Sequence, residues 1–139
     1  MKPYRNVYRS KQHEDMVQLL ARTTVDKAET SLFTTIRQLM IFSALLGYSE
    51  ERRVSLDKSK GVEDIQIHIF ENDLDYIHMI ALADQQNPDI FKDGHNFDVI
   101  EVFEEYANGG FEIIRGWLAQ YNDHSGQKAI IQGLYNKVN

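Results

Sequence analysis

Three groups of residues in this 139-residue chain have the types and spacing that chemistry would need. His68, Asp75 and His78 form the best local trio for a metal ion, with two imidazoles and a carboxylate close together in sequence. No His-Glu-x-x-His or cysteine-rich spacing accompanies them, and solvated surface histidines are the simpler reading. Glu104 and Glu105 stand beside Tyr106, as an acid/base pair or the carboxylates of a metal-dependent hydrolase or nuclease would. Adjacent residues of a helix point in different directions, so these two cannot converge on one substrate unaided. A solvated charged face accounts for them. Asn108-Gly109-Gly110 has the small, amide-rich character of a phosphate-binding nest. It lacks the Lys-Ser/Thr of a Walker loop and follows no buried strand. Its alternatives are a helix break with Gly109 left-handed, or a close helix–helix approach permitted by the missing Cβ. Glycine inside a helix costs about 1 kcal/mol relative to alanine, so two in a row require a structural reason. Close packing, with Leu32–Leu46 as the partner, is favoured.

A fourth group is basic. Arg52, Arg53, Lys58 and Lys60 share one connector, and arginines near an element end can engage phosphates bidentately. Glu50, Glu51, Asp57, Glu63 and Asp64 lie in the same stretch and can neutralise them. No zinc-finger, helix-turn-helix or RNA-recognition signature is present. The wider charge pattern is asymmetric. Lys2, Arg5, Arg9 and Lys11 make the first dozen residues purely basic, whereas from Glu71 to Asp123 twelve acids face only Lys92 and Arg115. With a net charge of −6, such a body does not bind DNA loosely over most of its surface.

The elements that must position these residues are mostly helical. Phe97–Tyr121 places Phe103, Tyr106, Gly110, Ile113 or Ile114, Trp117 and Tyr121 on one side. It is one long amphipathic helix, or two broken at the glycines. Leu32–Leu46 is apolar nearly all round in its second half, with Thr30 or Ser31 as its cap and Gly47 as its terminating glycine. Ser43 within it lacks a Gly-x-Ser-x-Gly elbow and reads as packing. A first helix starts at Ser10, its N-cap. A third, Leu74–Gln85, is capped by Asn72 or Asp73 and faces the core with Ile77, Ile80 and Ala81. A last one covers Gln127–Val138. Ile65–Phe70 alternates like a strand, and Arg53–Leu56 is its nearest hairpin partner.

The length suits one domain. The chain has no cysteine, so disulfides and thiol chemistry are excluded. No signal-peptide core or membrane-length apolar run is visible, and the expected location is the cytoplasm. The expectation is therefore a mainly α fold: residues 1–10 as a basic N-terminal arm, and 11–139 as a single compact domain of about five helices with one short β-hairpin or strand pair. A lone strand and an aromatic-rich helix leave surface for a homo-oligomer to cover.

The succession LMIFSALLGY, ERRVSL, IFENDLDYIHMIAL and FEEYANGGFEII, between Leu32 and Leu118, resembles the accessory proteins encoded with bacterial DNA phosphorothioation (Dnd) systems. Arg52, Arg53, Glu105, Tyr106, Asn108, Gly109 and Gly110 match that pattern. The resemblance implies a non-enzymatic accessory role in modification, restriction and defence against foreign DNA, with other proteins of the system as partners. It brings no catalytic residues, cofactor or metal. Tyr106, Asn108, Gly109, Gly110 and Trp117 are then packing or interaction residues. The alternatives are a DNA-binding module using Arg52, Arg53, Lys58 and Lys60, and a metal-dependent hydrolase or nuclease.

Overall fold

A computed structural model describes residues 6–21, 32–57, 61–65, 67–85, 96–121 and 126–138. Val7–Ser10 forms strand β1, followed by a 3-10 turn at Lys11–His13 and helix α1, Glu14–Leu20. Helix α2 spans Ile36–Ser49, and strand β2 spans Gly61–Ile65. A 3-10 segment, Ile67–Asp73, leads into α3, Leu74–Gln85. Helices α4, Asn96–Gln120, and α5, Gln127–Val138, complete the chain. The fold is mainly α, with five helices and one antiparallel strand pair, β1 with β2, among the described residues.

Helix α4 is the axis. It is unbroken over 25 residues, about 37 Å at the usual helical rise, and it touches α2, α3, α5 and β1. Its buried Val99, Ile100, Val102, Phe103, Ala107, Phe111 and Ile114 join Leu39, Met40 and Ala44 of α2 and Ile77, Ile80 and Ala81 of α3 in one apolar core.

The glycine pair marks the closest approach rather than a break. A Cβ on Gly110 would overlap the carbonyl oxygen of Ser43, and one on Gly109 would overlap the carbonyl oxygen of Arg52. Across the same contact, a Cβ on Gly47 would overlap the Tyr106 carbonyl oxygen and lie 3.0 Å from the Gly110 nitrogen. Gly47 is therefore inside α2 and not its terminator. The helix continues to Ser49 and closes one turn later, where Glu51 takes the left-handed conformation (φ 54°). The Glu51 amide bonds Tyr48 O at 3.0 Å and the Arg52 amide bonds Gly47 O at 2.8 Å, the double bond pattern of a Schellman cap. The start of α2 also differs from expectation. Thr35 is the cap, accepting the Gln38 amide at 3.1 Å, because Phe33 is held in extended backbone by its amide bond to Leu20 O, 2.9 Å. Thr30 and Ser31 lie outside the described residues.

The strand reading needs correction as well. Ile65 ends β2, and the apparent alternation beyond it is 3-10 helix. A period of three puts Phe70 and Asp73 on one side; Phe70 is buried edge-on to Phe103, centroids 5.5 Å apart, and Asp73 pairs with Arg37. The partner strand comes from the chain's beginning, not from Arg53–Leu56. In β1, Val7 and Arg9 are buried while Tyr8 and Ser10 are half-buried. Ser10 caps the turn that follows, accepting the Gln12 amide at 3.2 Å.

Gly110→Ala must separate two backbones, so urea denaturation should show a loss of about 1–3 kcal/mol or more. Gly116, where an added methyl would meet nothing within 4 Å, is the control: Gly116→Ala should be neutral or stabilising by up to about 1 kcal/mol. Glu51→Gly should add about 1 kcal/mol by relieving the left-handed residue.

Candidate interaction site

The central turns of α4, Phe103 to Arg115, hold the rest of the chain through side chains that fan out in different directions. Toward the connector after α2, the Val54 amide donates to Glu105 O at 3.1 Å. Asn108 Nδ2 donates to Val54 O at 3.4 Å and Ser55 O at 3.2 Å. Gly109 allows this, because only a residue without Cβ lets the Arg52 backbone lie on the helix.

Arg52 and Arg53 then splay to opposite sides. Arg52 reaches Glu112 through both Nε (3.1 Å) and Nη2. Arg53 donates from Nε to Glu105 and from Nη1 to Asp84, each at 2.6 Å. The Tyr106 hydroxyl donates to the other oxygen of Asp84, and the Arg53 guanidinium stands 6.0 Å from the Tyr106 ring centre. Burial and the bond to Asp84 push the Tyr106 phenol up to about 12. It stays protonated near neutral pH and donates to Asp84. Burial disfavours the Arg53 charge, but Glu105 and Asp84 outweigh it and raise its pKa.

Toward the N-terminal segment, Glu104 is not part of a solvated face. It is buried and accepts the Tyr8 amide at 2.6 Å, anchoring β1 to α4. Glu104 and Glu105 thus face different partners. Arg115 bonds Asp15 at 2.7 and 3.2 Å, Gln12 O at 3.0 Å, and His13 Nδ1 at 3.4 Å. A guanidinium can only donate, so His13 Nδ1 is an acceptor and the ring carries its proton on Nε2. His13 Nε2 is buried and has no hydrogen-bond partner among the described residues. Desolvation, with the Arg115 charge beside it, lowers the His13 pKa below 6.5. The ring also packs on Phe111, centroids 5.5 Å apart. Arg115 thus holds His13 and the N-terminal turn, while Asn108 separately holds the connector carbonyls.

Two clefts flank the connector. One of about 620 Å³ lies between Ser10–Gln12, Val54–Asp57 and Asn108 with Glu112. The other, about 380 Å³, lies where α2 and α3 end, beside Tyr48, Asp84 and Tyr106.

The residues singled out from sequence divide accordingly. Arg52, Arg53, Tyr106, Asn108, Gly109 and Gly110 come together at one place; Trp117 lies further along α4, its ring seated on Gly133 of α5. Lys58 and Lys60 lie outside the described residues, as does the side chain of His68. Among the described residues no group of three or more His, Asp or Glu is placed to hold a metal ion. Each described arginine (Arg9, Arg37, Arg52, Arg53 and Arg115) is ion-paired within the fold. Sequence reasoning missed His13, Asp15 and Asp84, whose partners lie on α4 or the connector and leave no local spacing to find.

His13 sets a pH dependence. Its folded pKa is depressed, so the unfolded chain takes up the proton first, and stability falls as pH drops below 6.5 toward the folded value. His78, depressed mainly by burial with Asp75 opposing, adds in the same direction. Glu14 and Asp15 also have lowered pKa values, but their contribution is lost only below the ordinary carboxylate range, about pH 4. Urea midpoints of wild type and His13→Gln at about pH 7.5 and 5.5 should differ in slope. The wild type loses more stability on acidification; equal slopes would refute the assignment.

The sequence profile of DNA sulphur modification system-associated protein 4 matches residues 6–137, reaching both β1 and α5 beyond the stretch that first suggested the likeness. No curated protein and no solved structure matches the chain. The buried helix contact, the connector clamp and the arms that grip β1 all fall inside that match, and the chain belongs to the DNA sulphur modification system-associated protein 4 family.

Proposed function

We propose that this protein is a non-enzymatic accessory component that works by binding other proteins of a DNA phosphorothioation-linked modification and restriction system in the cytoplasm. The family supplies the system. The observation that carries the mode of action is where apolar surface remains after folding. Tyr76, Met79 and Leu82 on α3, Leu45 and Tyr48 on α2, and Ile131, Leu134 and Tyr135 on α5 are all exposed. Grouped aromatic, leucine and methionine side chains on a charged protein suit protein interfaces. The polar residues at the centre of α4 support the same reading, since each is engaged in holding an element of the fold.

Co-expression with the proteins encoded beside it in such a system, followed by affinity purification and size-exclusion chromatography, tests the proposal. A defined component should co-elute with the chain and remain bound at high salt. Fluorescence anisotropy on DNA duplexes with and without phosphorothioate linkages, across a salt series, tests the competing reading. Salt-sensitive duplex binding lost in the Arg52→Ala, Arg53→Ala double variant, with no protein partner retained, would replace the adaptor by a DNA-contacting module.

A further inference from the structure

Helices α2 and α3 lie side by side and run in the same direction. Arg37 at the start of α2 pairs with Asp73 just before α3, and Tyr48 and Ser49 at the end of α2 share a cleft with Ala83 and Asp84 at the end of α3. Along this pair the outward side chains are apolar and large. Met79 is 64% exposed and Tyr76 47%, with Leu45, Leu82 and Tyr48 between 37% and 40%. Tyr76, Met79 and Leu82 recur every three residues, a single solvent-facing stripe of α3. Leu45 and Tyr48, also three apart, continue the surface on α2. Two parallel helices with apolar outer residues form a shallow groove that a third helix can fill.

The two segments that form the groove carry charge of one sign. Residues 38–51 and 71–85 contain no lysine or arginine but six acids: Glu50, Glu51, Glu71, Asp73, Asp75 and Asp84. Three of these acids are paired with cations from outside the two segments, Asp73 with Arg37, Asp84 with Arg53 and Glu50 with Lys137. His78 is half-buried with a lowered pKa and adds no positive charge at neutral pH. Glu51, Glu71 and Asp75 are exposed along the margins. A second copy of the chain would set acids against acids across a two-fold interface, which electrostatic complementarity disfavours. DNA is excluded on the same ground.

Resting on the reading of this chain as a protein-binding component, we infer that the α2–α3 groove docks a basic amphipathic helix of a partner protein. Its apolar stripe would cover Tyr76, Met79 and Leu45, and its lysines or arginines would meet the acidic margins.

The test is a titration of the ¹⁵N-labelled full-length protein with a synthetic helix of about 18 residues (~27 Å), leucine on one face and lysine elsewhere. A glutamate-for-lysine version and a scrambled sequence of the same composition serve as controls. The lysine helix should shift the amides of Leu45, Tyr48, Tyr76, Met79 and Leu82, and the controls should not. Met79→Ser should weaken it about tenfold or more, Met79→Lys should abolish it, and Ile131→Ser on α5 should leave it unchanged. Shifts centred on α5, equal binding of the glutamate helix, or concentration-dependent shifts at this face without peptide would each overturn the proposal, the last by assigning the groove to self-association. If a system component still co-purifies with Met79→Lys, the groove assignment falls while the adaptor reading stands. If no component binds the wild type, the adaptor reading falls with it.

Discussion

Everything in this fold depends on how closely two backbones approach. At the crossing of α2 and α4, Gly47 faces Gly110 and Tyr106, and Gly110 faces Ser43, with no room for a Cβ at either glycine. Ridges of ordinary side chains keep helix axes about 8–10 Å apart; glycines on both sides allow a tighter crossing. The helix-propensity cost of glycine in two interior positions is offset by dispersion contacts made along the whole crossing. Leu39, Met40 and Ala44 on one side and Phe103, Ala107 and Phe111 on the other are then close enough to form a continuous core. Where α2 ends, the same proximity delivers residues 52–57 directly onto α4. A single backbone position thereby determines where two arginines begin.

Charge in this protein is largely structural. Each described arginine joins parts of the chain that apolar contact alone would hold less specifically. Arg53 ties the connector to α3 and α4 together, and Arg115 ties the N-terminal turn to α4. Exposed pairs such as Arg52 with Glu112 contribute little free energy, about 0–1 kcal/mol. Their value lies in orientation. Arg9 is different: it is buried, and its pairing with Glu14 keeps a charge that would otherwise be costly to desolvate. Among the described residues, every arginine is engaged within the fold, while Tyr76, Met79, Ile131 and Tyr135 are exposed.

The legible part of this architecture was whatever repeats with a helical period. Leu74–Gln85 and Gln127–Val138 emerge from the sequence with their observed limits, and the long helix is found to within a residue at either end. The close-packing reading of Gly109-Gly110 also holds, since two adjacent glycines weaken an amphipathic helix unless a neighbouring backbone needs the space their side chains leave. What the pattern hid was non-local. Glycine after an apolar run reads as a terminator, and only the partner helix shows that Gly47 is a contact and that Glu51, with no glycine signal at all, closes α2. Ile65–Phe70 alternates, yet a 3-10 segment satisfies the burial of Phe70 equally well. β1 comes from a basic stretch with no strand signature, and what holds it, pairing with β2 and the Glu104 carboxylate that accepts the Tyr8 amide, lies far along the chain.

These features separate holding from presenting. The centre of α4 commits its polar side chains to neighbouring elements: Glu104 to β1, Glu105 and Tyr106 to the Arg53–Asp84 cluster, Asn108 to the connector, Arg115 to the N-terminal turn. These side chains diverge, and the groups they meet are part of the fold. Meanwhile α3 and α5 attach to that rigid centre by one face each, through Ile77, Ile80 and Ala81 and through Ala129 and Ile130, leaving bulky apolar side chains on the other. The polar side chains at the centre of α4 thus fix the neighbouring elements in place, and α3 and α5 carry exposed apolar residues on their outer faces.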